Sequence, residues 1–127
     1  MFDLTIALGD RADGLAAMGE ALGAAGISVE GGGMATVDGM ATGHFLVADG
    51  EAASRALACA GITVTACRAV LARRLDQEVP GQLGAITRAI AQAGAVIEVL
   101  YSDHDHRLIL VTSDQDAAAA ATRGWDR

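Results

Sequence analysis

The chain has 127 residues, of which 52% are hydrophobic and 3% aromatic, so its core must consist mainly of small aliphatic side chains. Its net charge of −7 argues against nucleic-acid partners, because phosphate binding needs a basic surface. No apolar run approaches the about 20 residues that span a bilayer, and the start of the chain does not resemble a signal peptide. We therefore expect a cytoplasmic protein with no membrane partner.

The first half of the sequence predicts the element order β-α-β-β-α-β. Alternating apolar residues indicate strands, whereas apolar residues three and four apart, bounded by Asp and Gly, indicate helices. The predicted elements are, in order, a strand over 2–8, a helix capped by Asp13 and ended by Gly26, a strand that opens at Ile27, a glycine-rich loose hairpin over 31–43, a strand over 45–48, a helix capped by Asp49 and ended by Gly61, and a strand over 62–67. This order is typical of a ferredoxin-like unit, with both helices on one face of an antiparallel sheet.

The second half repeats the first at a fixed spacing. The apolar stripe of the first helix, Leu15, Met18 and Leu22, recurs 68 positions later as Leu83, Ile86 and Ile90. The spacing falls to 64 after the second hairpin, which places a four-residue deletion in a loop where length changes are tolerated. Such a repeat indicates one supersecondary unit used twice.

The second unit is predicted to lack its last strand. Its elements are a strand over 69–75, a helix opened by Pro80 and Gly81 and ended by Gly94, strands over 96–101 and 108–112, and a helix capped by Asp114. The counterpart of the fourth strand would fall beyond Arg127, so a sheet edge stays open unless another segment pairs with it. We therefore predict an α+β fold of two tandem ferredoxin-like (βαββαβ) units, over 1–67 and 68–127, the second without its last strand.

The turn between the first strand and the first helix of each unit is the most informative local feature. Pro80 is the only proline, and proline is preorganised for a helix start. Gly81 beside it allows a partner to approach the backbone closely, and the free N–H groups of a helix N-terminus can receive a carboxylate. The same local sequence also fits a strand-to-helix turn that binds nothing.

The segment from Asp76 to Asp114 resembles the ACT domain, in which an Asp, a Pro-Gly-x-Leu turn, a helix, a glycine and a further strand follow one another. The first half resembles the family more weakly, since Asp13-Gly14-Leu15 stands where Pro-Gly-x-Leu would be. The resemblance covers nearly the whole chain. It implies a regulatory protein that binds an amino acid where units meet side by side. The residues that it implies as ligand-binding are Asp10, Arg11, Ala12, Asp13, Gly14, Gln77, Glu78, Val79, Pro80 and Gly81, with Glu30 or Glu98 as candidate partners of the ligand's ammonium group.

Several motifs keep two interpretations each. Glu30 and Glu98 fit an ammonium site or solvated strand residues. Residues 103–106, Asp-His-Asp-His, fit a metal site or a polar hairpin tip, and the tip is the expectation. The cysteines Cys59 and Cys67 lie in no Cys-x-x-Cys arrangement, which favours two small buried side chains over a disulfide or metal site.

The sequence therefore predicts a non-enzymatic regulatory protein that binds an amino acid or similar small metabolite. It contains no nucleophile elbow and no zinc-protease helix, and we expect no cofactor. We expect a homodimer and, as a further partner, a metabolic enzyme. The alternative is an interaction or dimerisation module that needs no ligand. A small enzyme that uses His44 or His104 stays a third hypothesis, because the fold does not determine function.

Overall fold

The computed structural model describes all 127 residues, and they form two compact units, Met1–Ala69 and Val70–Arg127. The division lies two residues after the boundary that we predicted, because the last strand of the first unit continues to Ala69. None of the helices is long and apolar enough to cross a membrane.

The first unit is a ferredoxin-like α+β fold, as predicted. Its elements are β1 (Phe2–Gly9), α1 (Gly14–Ala24), β2 (Gly31–Val37), β3 (Met40–Val47), α2 (Gly50–Cys59) and β4 (Thr63–Ala69). The strand order is β2-β3-β1-β4, and all neighbouring strands are antiparallel. The apolar face of β1 packs against both helices through Leu4, Ile6 and Leu8, which join Met18 and Leu57 in the core.

The predicted hairpin is present, but its glycine-rich part is a paired strand rather than a loose loop, and this strand begins at Gly31 and not at Ile27. Gly31–Val37 pairs with β3 over its whole length, from Gly31 opposite Leu46 to Val37 opposite Met40. Gly32 has a φ of 137°, and a Cβ on it would lie 2.2 Å from the carbonyl oxygen of His44. Glycine thus allows β2 to approach β3 closely. The segment has no alternation of apolar and polar residues that would predict a strand.

The second unit contains the same elements without a fourth strand, as predicted. They are β5 (Leu71–Arg73), α3 (Gln82–Gln92), β6 (Ile97–Ser102), β7 (Leu108–Thr112), α4 (Gln115–Ala121) and a 3₁₀ turn (Arg123–Trp125). The strand order is β5-β7-β6, and both pairs are antiparallel. Strand β5 is shorter than the predicted strand over 69–75, because Ala69 belongs to β4.

The helix ends confirm some predicted caps and correct another. The Asp49 carboxylate accepts a hydrogen bond from Ala52 N at 3.0 Å, and Asp114 accepts one from Ala117 N at 3.0 Å. Asp13 precedes α1 but makes no side-chain cap bond, because its carboxylate binds a neighbouring arginine instead.

Four apolar or thiol side chains that we expected inside are exposed. Leu15 and Leu83, at equivalent positions in the first turns of α1 and α3, are 43% and 51% exposed. Cys59 and Cys67 are free and exposed, so our interpretation of them as buried small residues was wrong. The helical stripes do face the core from the second turn onward, because Met18 and Ile86 are buried.

Candidate functional site

The first strand-to-helix turn carries an arginine–carboxylate pair. The Arg11 guanidinium donates from Nε to Asp13 Oδ1 at 2.9 Å and from Nη2 to Asp13 Oδ2 at 2.8 Å. Both side chains are well exposed. This two-point geometry positions a cation and an anion side by side, although exposed pairs contribute little to stability.

The pair lines a cleft of about 200 Å³ in the first unit. One wall consists of Gly14 and residues 7–9, and the other consists of residues 60–63, which connect α2 to β4. A Cβ on Gly14 would lie 2.5 Å from the Leu8 carbonyl oxygen, so only glycine lets α1 begin this close to β1. The cleft therefore lies against the N-terminal end of α1.

The start of α1 supplies hydrogen-bond donors to this region. The first backbone hydrogen bond of the helical pattern runs from Ala17 N to Asp13 O at 2.9 Å. The N–H groups of Leu15 and Ala16 precede that pattern, and such groups attract anions. Of the predicted residues in this unit, the cleft brings together Arg11, Asp13 and Gly14. The exposed Asp10 and Ala12 do not line it, and neither does Glu30.

The second strand-to-helix turn is exposed over Gln77–Gly81 and is organised by Asp76. The Asp76 carboxylate accepts from Glu78 N at 3.2 Å, and its carbonyl accepts from Val79 N at 3.2 Å. Gly81, with a φ of 88°, is the N-cap of α3, and the first helical bond runs from Ala85 N to Gly81 O. Pro80 thus lies just outside the helix, and its neighbour Val79 is 46% exposed.

The two glutamates differ in structure, although the sequence repeat aligns them. Glu30 is half-buried just before β2, and its N–H donates to Leu46 O at 2.8 Å. Glu98 is exposed within β6, where the pairing with β7 is irregular between Ile97 and Val99. The repeat in sequence therefore does not give the two carboxylates equivalent surroundings.

The hairpin between β6 and β7 is held together by Asp103, whose side chain is 2% exposed. Its carboxylate accepts hydrogen bonds from Asp105 N, Arg107 N and Arg107 Nε at 2.9, 2.8 and 2.7 Å. Burial would raise the pKa of Asp103, but the hydrogen bonds from Arg107 and from the backbone of Asp105 outweigh it and hold the pKa below its ordinary value of 3.8. Asp103 is thus a structural residue of the turn, and no group of three or more His, Cys, Asp or Glu side chains is arranged to hold a metal ion.

A polar cluster that the sequence did not reveal lies on the two inner strands of the first unit, β1 and β3. Asp3 is fully buried, and its Oδ2 lies 3.1 Å from His44 Nδ1. Thr5 Oγ1 lies 3.3 Å from the same ring nitrogen. The alternation of β1 marks Asp3 and Thr5 as residues of the face opposite the core, but only strand pairing reveals that His44 lies opposite Thr5.

A second missed group joins the turn of the second unit to residues near Arg127. Gln82 Oε1 accepts from Trp125 Nε1 at 3.1 Å and from Asp76 N at 3.5 Å. Trp125 packs against the core cluster of this unit. The sole tryptophan of the chain was the sequence feature that could have indicated this group, but its partner Gln82 lies 43 positions away in sequence.

The chain is similar to known proteins in structure rather than in sequence. No protein-family model matches the chain, and no curated protein is significantly similar to it. The structure is similar to a protein from Bacteroides thetaiotaomicron, with a TM-score of 0.83 and 21% identity, covering 97% of this chain and 86% of that chain. It is also similar to the ligand-free regulatory subunit of aspartate kinase from Thermus thermophilus, with a TM-score of 0.70 and 21% identity over 96% of this chain and 88% of that one. The regulatory subunit of aspartate kinase from Thermus flavus gives a TM-score of 0.64 and 19% identity, over 97% and 91% of the two chains. At these identities the similarity shows that the chain shares the α+β fold of these proteins over nearly its whole length.

Proposed function

We propose that this chain is a regulatory protein that binds an amino acid or a similar small metabolite at its strand-to-helix turns. The observation that carries the proposal is the Arg11–Asp13 pair at the cleft beside the start of α1. An amino acid carries a carboxylate and an ammonium group on adjacent atoms. The guanidinium and the first-turn N–H groups suit the carboxylate, and the Asp13 carboxylate suits the ammonium.

The size of the cleft favours a small ligand. Its volume of about 200 Å³ lies below the about 300 Å³ at which sites for drug-sized molecules begin. The exposed turn Gln77–Gly81 is the proposed counterpart in the second unit, where the N–H groups of Leu83 and Gly84 precede the first helical bond. We also propose Glu30 and Glu98 as partners of the ligand's ammonium group.

The structural relatives support the proposal of a regulatory role. Two of them are regulatory subunits of aspartate kinase, and the chain covers 88% and 91% of their lengths. We propose by analogy that the output of ligand binding passes to a partner enzyme or to a second copy of the chain. The ligand would act by binding one arrangement of the protein more tightly than another.

Calorimetric titration with a panel of the common amino acids tests the proposal. We expect one to bind at or below millimolar concentration, and Arg11→Ala to weaken binding at least tenfold by removing the carboxylate partner. Arg55→Ala is the matched control, since Arg55 is also exposed and pairs with Glu51 at 3.0 Å but does not line the cleft. Binding by no amino acid, or equal losses in both variants, would refute the proposal.

A second candidate function is a module for protein interaction or dimerisation that needs no ligand. The observation that favours it is the edge strand β2, where Met34 and Val37 are 41% and 66% exposed, together with Met40 at the start of the neighbouring β3, which is 56% exposed. An edge strand of this kind presents unpaired backbone groups beside apolar side chains. Light scattering of Val37→Asp, with Thr36→Asp as control, decides it. A dimer that dissociates only in the first variant supports this function, and a monomeric parent chain contradicts it.

We also propose that the chain is not an enzyme. The strongest catalytic candidate is His44. Its Nδ1 lies within hydrogen-bond distance of the buried Asp3 and of Thr5, which is the arrangement expected of a structural histidine whose hydrogen bonds are satisfied. If an activity is found, His44→Gln and His104→Ala test the alternative. Loss of that activity with intact folding in either variant would overturn the proposal.

A further inference from the structure

The outer edge of β5 is the position that a fourth strand would occupy in a complete ferredoxin-like sheet. In the first unit, β4 fills this position and pairs with β1 through six residue pairs. In the second unit, β5 has a strand neighbour on one side only, namely β7. An edge of this kind exposes backbone donors and acceptors that another chain can use.

Residues Arg123–Arg127, here termed the C-terminal cap, lie at this edge. Arg74 N, one residue past β5, donates to Trp125 O at 2.9 Å, and Arg74 O accepts from Arg127 Nη2 at 3.3 Å. Ala72 O accepts from the side chain of Arg73 at 3.1 Å. Ala72 and Arg74 are two residues apart, so their backbone groups face the same side of the strand. Three groups that a fourth strand would use, namely Arg74 N, Arg74 O and Ala72 O, thus already have partners.

Side chains of the second unit hold the cap in place. The buried Arg73 donates from Nε to Thr122 Oγ1 at 2.9 Å, and its Nη1 lies 3.4 Å from the Asp126 carboxylate. Trp125 packs against the core and donates from its indole to Gln82. Removal of the cap would take Asp126 away from the Arg73 guanidinium, which keeps its hydrogen bond to Thr122.

The cap is a weaker partner for the edge than a strand would be. It makes one backbone-to-backbone hydrogen bond with the edge, whereas β4 pairs with β1 along its length. An added strand would satisfy the same groups and extend the ladder, which is how extended peptides bind exposed sheet edges. Its carboxylate could replace Asp126 beside Arg73, since an arginine that loses its partner favours a new one.

We propose that the C-terminal cap is removable and that an extended, acidic segment of a partner protein adds to the edge of β5 in its place. The cap also shares Gln82 with the turn at Asp76, because Gln82 Oε1 accepts from both Trp125 and Asp76 N. A ligand at that turn would therefore change how readily the cap detaches from the edge of β5. Only this coupling rests on the proposed ligand-binding function, and the removable cap itself does not.

Hydrogen exchange on the unmodified chain tests whether the cap opens. We expect the Arg74 amide to exchange at least tenfold faster than the slowest amides of β7, through an opening that low concentrations of urea do not accelerate. Such behaviour marks a local opening rather than unfolding of the unit. Exchange of Arg74 only at the rate of those β7 amides would overturn the proposal.

Peptide binding tests the partner. The probe is a fluorescein-labelled peptide of residues 63–69 of this chain, the β4 sequence, with Cys67→Ser, Arg68→Ser and Val64→Asp, so that its one charged side chain is a carboxylate. We expect a chain that stops after Thr122 to bind it at least tenfold more tightly than the full chain, and the probe to slow exchange of the Arg74 amide. The same peptide with Thr65→Pro should not bind, because proline cannot continue a ladder.

Equal binding to both chains, or protection of β1 instead of Arg74, would refute the proposal. So would loss of the folded second unit in the shortened chain, since the cap would then be an integral part of the fold. Trp125→Phe keeps the apolar packing but removes the indole donor, and we expect it to raise the exchange rate of Arg74 several-fold without unfolding. These measurements contain no amino acid, so their failure and a failure of ligand binding are distinguishable.

Discussion

Replacement of Gly32 by alanine is expected to disrupt the pairing of β2 with β3, whereas the same change at Gly33 is not. Gly32 has a φ of 137°, and an added Cβ would lie 2.2 Å from His44 O and 2.9 Å from Phe45 Cα. The nearest obstacles include backbone atoms, which cannot rotate away. A Cβ on Gly33 would have no atom within 4 Å, and its φ lies outside the positive range.

The expected cost follows from two effects. A residue with a Cβ in this part of backbone space costs about 1–3 kcal/mol, and forced displacement of close-packed atoms costs about 1–3 kcal/mol more. We therefore expect Gly32→Ala to lower the free energy of unfolding of the first unit by about 3 kcal/mol. A unit of this size has roughly 3–10 kcal/mol in total, so the loss is a large share of it. Gly33→Ala should be neutral or stabilising by about 0.5–1 kcal/mol, because alanine loses less backbone entropy than glycine.

Differential scanning calorimetry of the two variants measures the difference. For a unit of this size, a loss of 3 kcal/mol corresponds to a fall in Tm of about 12–24 °C. Hydrogen exchange should localise the change to the amides of β2 and β3. Equal Tm values for Gly32→Ala and Gly33→Ala would show that β2 does not pack closely against β3 at Gly32, which would refute the prediction.

Three further predictions concern polar and thiol groups. The lowered pKa of Asp103 stabilises the second unit at pH values above the ordinary pKa of 3.8, and this stabilisation should be lost as the pH falls through the lower pKa of the folded state. Urea unfolding from pH 6 to pH 2.5 measures this loss of stability, and Asp103→Asn should remove the part of the pH dependence that Asp103 causes. Asp49→Ala should cost about 1 kcal/mol in urea unfolding because a cap bond is lost, whereas Asp13→Ala, which loses none, should cost less than half as much; equal costs would contradict the cap assignment. Both Cys59 and Cys67 should react with a thiol reagent in the folded protein within minutes, and a reaction that needs denaturant would contradict their exposure.

Much of the fold follows from local signals in the sequence. The alternation in β1, the helical stripes through Met18 and Ile86, and the caps at Asp49 and Asp114 depend on residues within a few positions of one another. The repeat then extends these elements to the second half. Such signals are reliable because the periods of helix and strand are set by backbone geometry.

Local signals in the sequence predicted only part of the candidate site. The strand-to-helix turns were located from Asp, Gly and Pro residues, but the pairing of Arg11 with Asp13, rather than capping by Asp13, depends on side-chain geometry. The other wall of the cleft, at Gly61, is 50 positions away from Arg11 in sequence. No pattern within one element brings these residues together.

The sequence by itself determined the order of the elements, the ends of the helices and the shared plan of the two units, because each depends on interactions between near neighbours. Tertiary structure decided that the glycine segment is a paired strand, that Leu15 and Leu83 are exposed, and that Trp125 and Arg127 cover the edge of β5. These outcomes depend on which strands pair and which backbone groups still need partners once the sheet has formed. That requirement arises only between segments that are distant in sequence, so no local pattern encodes it.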